Sequence, residues 1–140
     1  MKTLFMTKKG LALLAFTLLS AVAYAQPSSI DIINSTDCYY LVEVRPSDPN
    51  NCGGACTTGQ ICIPPNSVVS LPPCAGGPNL EWAGAAITPT DSRCNPCQVP
   101  GIGIARVCYP MPVTDRGAHC DKKCSTYTAA FTSPTTIEIY

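Results

Sequence analysis

The stretch Asp91-Ser92-Arg93-Cys94-Asn95-Pro96-Cys97 sets two cysteines three positions apart around an Asn-Pro pair. Cysteines at this spacing can form a reactive dithiol when the first thiol is acidified at the start of a helix. Here Cys97 runs into Gln-Val-Pro-Gly-Ile-Gly, and Pro100, Gly101 and Gly103 bar a helix of useful length. The segment before it, Trp82 to Arg93, reads as a strand entering a turn. The motif is therefore expected to be a staple at a loop, not a redox centre.

The second cluster with possible chemistry is His119-Cys120-Asp121-Lys122-Lys123-Cys124, which holds the only histidine in the chain. Histidine and cysteine at such spacings can ligate zinc, but only as imidazole and thiolate. An oxidising compartment consumes thiolates as disulfides, so no metal is expected, and His119 reads as a loop residue beside a bridged cysteine. Ser47-Asp48-Pro49-Asn50-Asn51 lacks the carboxylates of a dedicated calcium loop.

The inventory for catalysis is thin. A serine or cysteine nucleophile wants a base beside it, and His119 is the sole imidazole. There is no Gly-x-Ser-x-Gly, no His-Glu-x-x-His and no glycine-rich phosphate loop. No carboxylate pair is marked out for glycoside hydrolysis. The chain is expected not to be an enzyme and to carry no cofactor.

Compartment decides how the cysteines are read. Lys2, Lys8 and Lys9 precede an apolar run from Leu11 to Val22, and Ala23-Tyr24-Ala25 forms a small-x-small cleavage site. That is the layout of a secretory signal peptide, and the run falls short of the roughly 18 apolar residues of a membrane span. Residues 1–25 are read as the leader and 26–140 as one domain, secreted to the cell exterior or the periplasm. All nine acidic residues lie beyond the leader against six basic ones, a net charge of −3. Arg45, Arg93, Arg106, Arg116, Lys122 and Lys123 are scattered, so nucleic acid and anionic membranes are not expected partners.

Ten cysteines lie beyond the leader: Cys38, Cys52, Cys56, Cys62, Cys74, Cys94, Cys97, Cys108, Cys120 and Cys124. An even count at this density in an exported chain implies five bridges. The pairing stays open. Cys94 with Cys97 and Cys120 with Cys124 are local options, and bridges to distant strands are equally compatible with the spacing.

The elements that must carry these residues are strands. Fourteen prolines leave no room for long helices, and the segments between them are rich in Val, Ile, Thr and Tyr. Residues 38–45 alternate: Cys38, Tyr40, Val42 and Val44 face one way, with Glu43 and Arg45 toward water. Strands are also expected over 29–36, 66–73, 79–88, 101–109, 125–132 and 135–140, with a bulge where Arg106 shares the face of Ile102 and Ile104. In the last hairpin Tyr127, Ala129 and Phe131 share one face, and Ile137 and Ile139 point inward. About seven short strands with frequent turns indicate an all-β fold, an antiparallel β-sandwich. Two Cys-rich segments, 46–65 and 112–124, read as long stapled loops.

Asn34-Ser35-Thr36 fits the glycosylation sequon, expected to be silent behind a leader of bacterial type. The function expected is a binding or structural module for a protein or polysaccharide at the cell exterior. An inhibitor or toxin-like effector presenting loop 46–65 is the second class, and an enzyme the third. The short, β-branched C-terminal strand is expected to be able to pair with a neighbouring chain.

Overall fold

The computed structural model describes residues 28–54, 56–74 and 79–140. The leader expected over 1–25 lies outside the described residues. Among the described residues nine strands run in chain order: β1 (Ile30–Asn34), β2 (Tyr39–Ser47), β3 (Ile61–Ile63), β4 (Ser67–Leu71), β5 (Glu81–Thr90), β6 (Ile102–Ala105), β7 (Thr114–Ala118), β8 (Thr126–Ser133) and β9 (Thr136–Ile139). A 3-10 turn, Lys122–Cys124, precedes β8. No helix among the described residues is long and apolar enough to cross a membrane.

The strands form two sheets, ordered β4-β1-β9-β8-β7 and β3-β2-β5-β6, packed as a sandwich. All seven expected strands are present. The two extra ones, β3 and β7, lie inside the segments read as loops. β3 spans only Ile61-Cys62-Ile63, too short for alternation to register. β7 is Thr-Asp-Arg-Gly-Ala, polar because it lies at a sheet edge. The strand expected over 101–109 stops at Ala105. There the Arg106 and Val107 amides both aim at the Ala83 carbonyl (2.8 and 3.5 Å), which ends the ladder.

Alternation in β2 and the β8–β9 hairpin carries the core. Tyr40, Val42 and Val44 meet Tyr127, Ala129, Ile137 and Ile139, with Ile30, Ile32, Ile87 and Trp82 filling the space between sheets. Burying each large apolar side chain contributes about 1.5–3 kcal/mol. Glu43 and Arg45 stay outside and pair with each other at 2.8 Å. Pro46 falls at a register shift between β2 and β5, where a missing N–H is tolerated. Pro89 turns its carbonyl to the Cys97 amide (2.9 Å), away from β2, so β2 loses no bond to the proline.

One pairing departs from the antiparallel expectation: β1 lies parallel to β9, Ile32 beside Ile137. The C-terminal strand is therefore interior, flanked by β1 and β8. This corrects the expectation that it could pair with a neighbouring chain, because both its edges are already occupied within the sheet. Asn34, buried at the end of β1, donates to the carbonyls of Cys38 (2.8 Å) and Pro64 (2.7 Å) and accepts from Thr36. The sequon asparagine is thus a structural tie between strands.

Candidate functional site

The cysteines of Cys-Asn-Pro-Cys go to different partners. Cys94 is bridged to Cys62 on β3 and Cys97 to Cys120, with Cα separations of 6.0 and 5.9 Å. The reason is local. The Asp91 carboxylate accepts the amides of Arg93 and Asn95 (2.8 and 2.9 Å) and the Asn95 side chain (3.0 Å). The Asp91 carbonyl accepts the Cys94 amide at 3.0 Å. This closed turn holds Cys94 at a φ of 64°, so the two cysteines splay apart. Cys120 and Cys124 also diverge: Cys124 reaches Cys38 across the sandwich, Cα to Cα 6.2 Å. Neither local bridge forms, and all ten cysteines are paired.

His119 is buried rather than exposed on a loop, at 7 % accessibility. The Asp121 amide donates to its Nδ1 (2.9 Å), and its Nε2 lies 3.2 Å from the Tyr39 carbonyl. An amide can only donate and a carbonyl can only accept, so these two contacts match the tautomer that carries its proton on Nε2. Tyr40 and Tyr127 enclose it, with ring centroids 5.2 and 6.5 Å away. Burial pushes the Tyr40 phenol above its ordinary range, opposed in part by the Thr36 hydroxyl. Burial, with the Tyr40 and Asp115 charges adding, pushes Tyr127 up further. Neither phenol is poised as a base.

The ligand atoms of Cys97, His119 and Cys120 lie within 4.8 Å of one another. Cys97 replaces Cys124 in the cluster suggested by the sequence. Both sulfurs belong to one disulfide and both ring nitrogens are bonded to backbone, so no lone pair is directed at a cation. The calcium-like segment is also closed on itself. The Asp48 carboxylate accepts the Asn50 amide and side chain (2.9 and 3.1 Å), while its carbonyl accepts the Cys52 amide at 2.7 Å.

At the opposite end of the sandwich, Cys52–Cys108 and Cys56–Cys74 bind residues 48–54 and 56–60 to the segments after β6 and β4. Thr58 bonds the Val44 backbone through its amide and hydroxyl (3.1 and 2.9 Å), so this loop follows β2. Beyond β6, residues 107–113 form a strap over the outer face of the second sheet. Gly84 and Gly103 lack side chains where the strap passes: a Cβ at Gly84 would stand 2.9 Å from the Tyr109 ring, and one at Gly103 would strike Met111. The Tyr109 hydroxyl lies 3.1 Å from Ser47 Oγ. The Pro112 and Val113 carbonyls accept the amides of Ala105 and Phe131 (2.8 and 3.1 Å).

Met111 and Val113 are left 37 % and 48 % exposed on this anchored backbone. Sequence periodicity did not expose the strap, because it belongs to no regular element; the signal available was the spacing of Pro110 and Pro112 with apolar residues between and after. Searches against protein-family models, curated proteins and solved structures find no match to this chain.

Proposed function

We propose that the chain is an exported, non-enzymatic binding module whose partner-facing surface is the strap at 107–113. Export is supported by the leader sequence and by five disulfides, which persist only in oxidising surroundings. The absence of catalysis is supported by the closed environments of His119 and of Cys94 and Cys97. The observation that carries the binding reading is the exposure of Met111 and Val113 on a backbone held by a disulfide, a Tyr–Ser contact and two strand-like bonds. Apolar side chains on a pre-ordered segment bind without a large ordering cost. Met, Val and Pro favour an apolar protein patch; a polysaccharide site would present aromatic platforms and convergent polar groups.

The test is affinity capture from culture medium and envelope extracts with the oxidised protein and with Met111→Ser/Val113→Ser. Retention of one protein by the wild type, lost in the double variant, is expected. Equal retention by both, or retention on polysaccharide alone, overturns the reading. An inhibitor would present the same surface, since Cys52–Cys108 joins loop 46–65 to the strap; a fall in the captured protein's own activity would identify that case.

A further inference from the structure

We infer that β4 is a self-pairing edge through which two copies of this chain join their five-stranded sheets. The sandwich has four edge strands, β4, β7, β3 and β6. Three are guarded against strand addition. β7 carries Asp115 and Arg116 with a glycine. β3 is three residues long, runs into Pro64-Pro65 and is tied by Cys62 to Cys94. β6 has its Ala105 amide taken by the strap. β4, Ser-Val-Val-Ser-Leu, has no charge, no proline and no glycine. Unguarded edges of this composition template strand pairing.

The free groups on β4 follow from the register. The Asp31 and Ser35 amides bond the Thr135 and Ile139 carbonyls of the C-terminal segment, so Asp31, Ile33 and Ser35 direct their backbone toward β9. Ile30, Ile32 and Asn34 therefore face β4, where they pair with Leu71, Val69 and Ser67. Val68 and Ser70 are left with N–H and C=O groups pointing outward, and neither has a backbone partner among the described residues. Val68 is also the most exposed large apolar residue described, at 62 %. Pro65 and Pro72 bound the free edge, and Pro72 has no N–H to extend a ladder.

A second copy is the occupant because this edge is its own complement. An antiparallel pair centred on Val69 sets Val68 opposite Ser70 of the other copy, both on the outer face. All the outward N–H and C=O groups of Val68 and Ser70 then find partners, and no charges face each other on the paired strands. Edge strand β6 lies against β7 and edge strand β3 against β4. The strap bonds β6 and β8, so it lies on the β6–β7 side of the sandwich and β4 on the β3 side. A β4 dimer thus leaves both straps free, and the pair becomes bivalent. This inference does not rest on what the strap binds.

The contact is small, so the dimer should exchange rapidly and depend on concentration. Sedimentation velocity on the oxidised protein over a concentration series, with amide hydrogen exchange, tests it. Dimer at high concentration is expected, with the Val68 and Ser70 amides gaining protection only there. Ser70→Pro removes an N–H that faces away from β1, and should weaken association about tenfold or more without changing the circular dichroism. Val68→Lys, on the exposed outer face, provides the same comparison should Ser70→Pro fail to fold. A monomer at every concentration, a dimer indifferent to Val68→Lys, or unprotected β4 amides in the dimer overturns the inference. So does β4 protection that arises only when a foreign protein is added.

Discussion

The Tyr127 ring lies directly over Gly117, its cross-strand partner, so that a Cβ at Gly117 would stand 2.6 Å from the ring. The same ring directs its hydroxyl to the Ile87 carbonyl in the opposite sheet, 3.4 Å away. It also packs on Tyr40, with centroids 4.9 Å apart. One absent side chain on edge strand β7 thus lets an aromatic bridge the two layers. Gly117→Ala should cost about 1–3 kcal/mol, because the ring has no room to retreat. Urea unfolding checks this; a change within about 0.5 kcal/mol would mean that the ring moves freely.

Disulfide mapping by mass spectrometry should recover Cys38–Cys124, Cys52–Cys108, Cys56–Cys74, Cys62–Cys94 and Cys97–Cys120. Replacing Cys94 and Cys97 together by Ser should release two thiols, at Cys62 and Cys120, rather than none. A Cys94–Cys97 peptide, or disulfide-reductase turnover that disappears in this variant, would restore the redox reading.

The bridges should differ in what they contribute. Cys38–Cys124 closes 86 residues and links the two sheets, whereas Cys56–Cys74 closes 18. Loop-entropy arguments give about 4–5 kcal/mol for the first and about 3 for the second. Thermal unfolding of Cys38→Ala/Cys124→Ala and Cys56→Ser/Cys74→Ser should rank in that order. The reverse order would show that residues 48–54 and 56–60 contribute more than their number suggests.

Acid should loosen the turn that separates Cys94 from Cys97. The Asn95 side chain, then the Asn95 and Arg93 amides, hold the Asp91 carboxyl below its ordinary 3.8. A depressed folded pKa stabilises the native turn above the unfolded value, and the benefit fades as pH falls through the folded one. Protection of the Arg93 and Asn95 amides, taken relative to the intrinsic exchange rate at each pH, should therefore fall below about pH 4 in the wild type and stay constant over this range in Asp91→Asn. Equal pH dependence in both proteins would exclude this carboxylate as the cause.

Removing residues 135–140 should prevent folding. β9 supplies Ile137 and Ile139, both at 0 % exposure, and holds β1 to β8. Truncating Ile137 to Ala should itself cost about 2–5 kcal/mol. A deletion variant with native circular dichroism and an unchanged unfolding midpoint would show that β1 can pair directly with β8.

The inward sets Tyr40-Val42-Val44 and Ile137-Ile139, the outward pair Glu43 and Arg45, and the full pairing of ten cysteines were all legible in the sequence. Side-chain alternation is a local consequence of strand geometry, and an even cysteine count is compositional. β3 and β7 were not legible, being too short or too polar for a period of two to stand out. Which cysteines pair depends on whether their Cα atoms come within bridging distance, and that depends on how distant strands stack. The interior place of β9 likewise arises only when β1 crosses to lie parallel beside it. His119 and its neighbours illustrate the division: residue type announced possible chemistry, but two backbone groups and two tyrosines, brought together from separate strands and loops, closed the site.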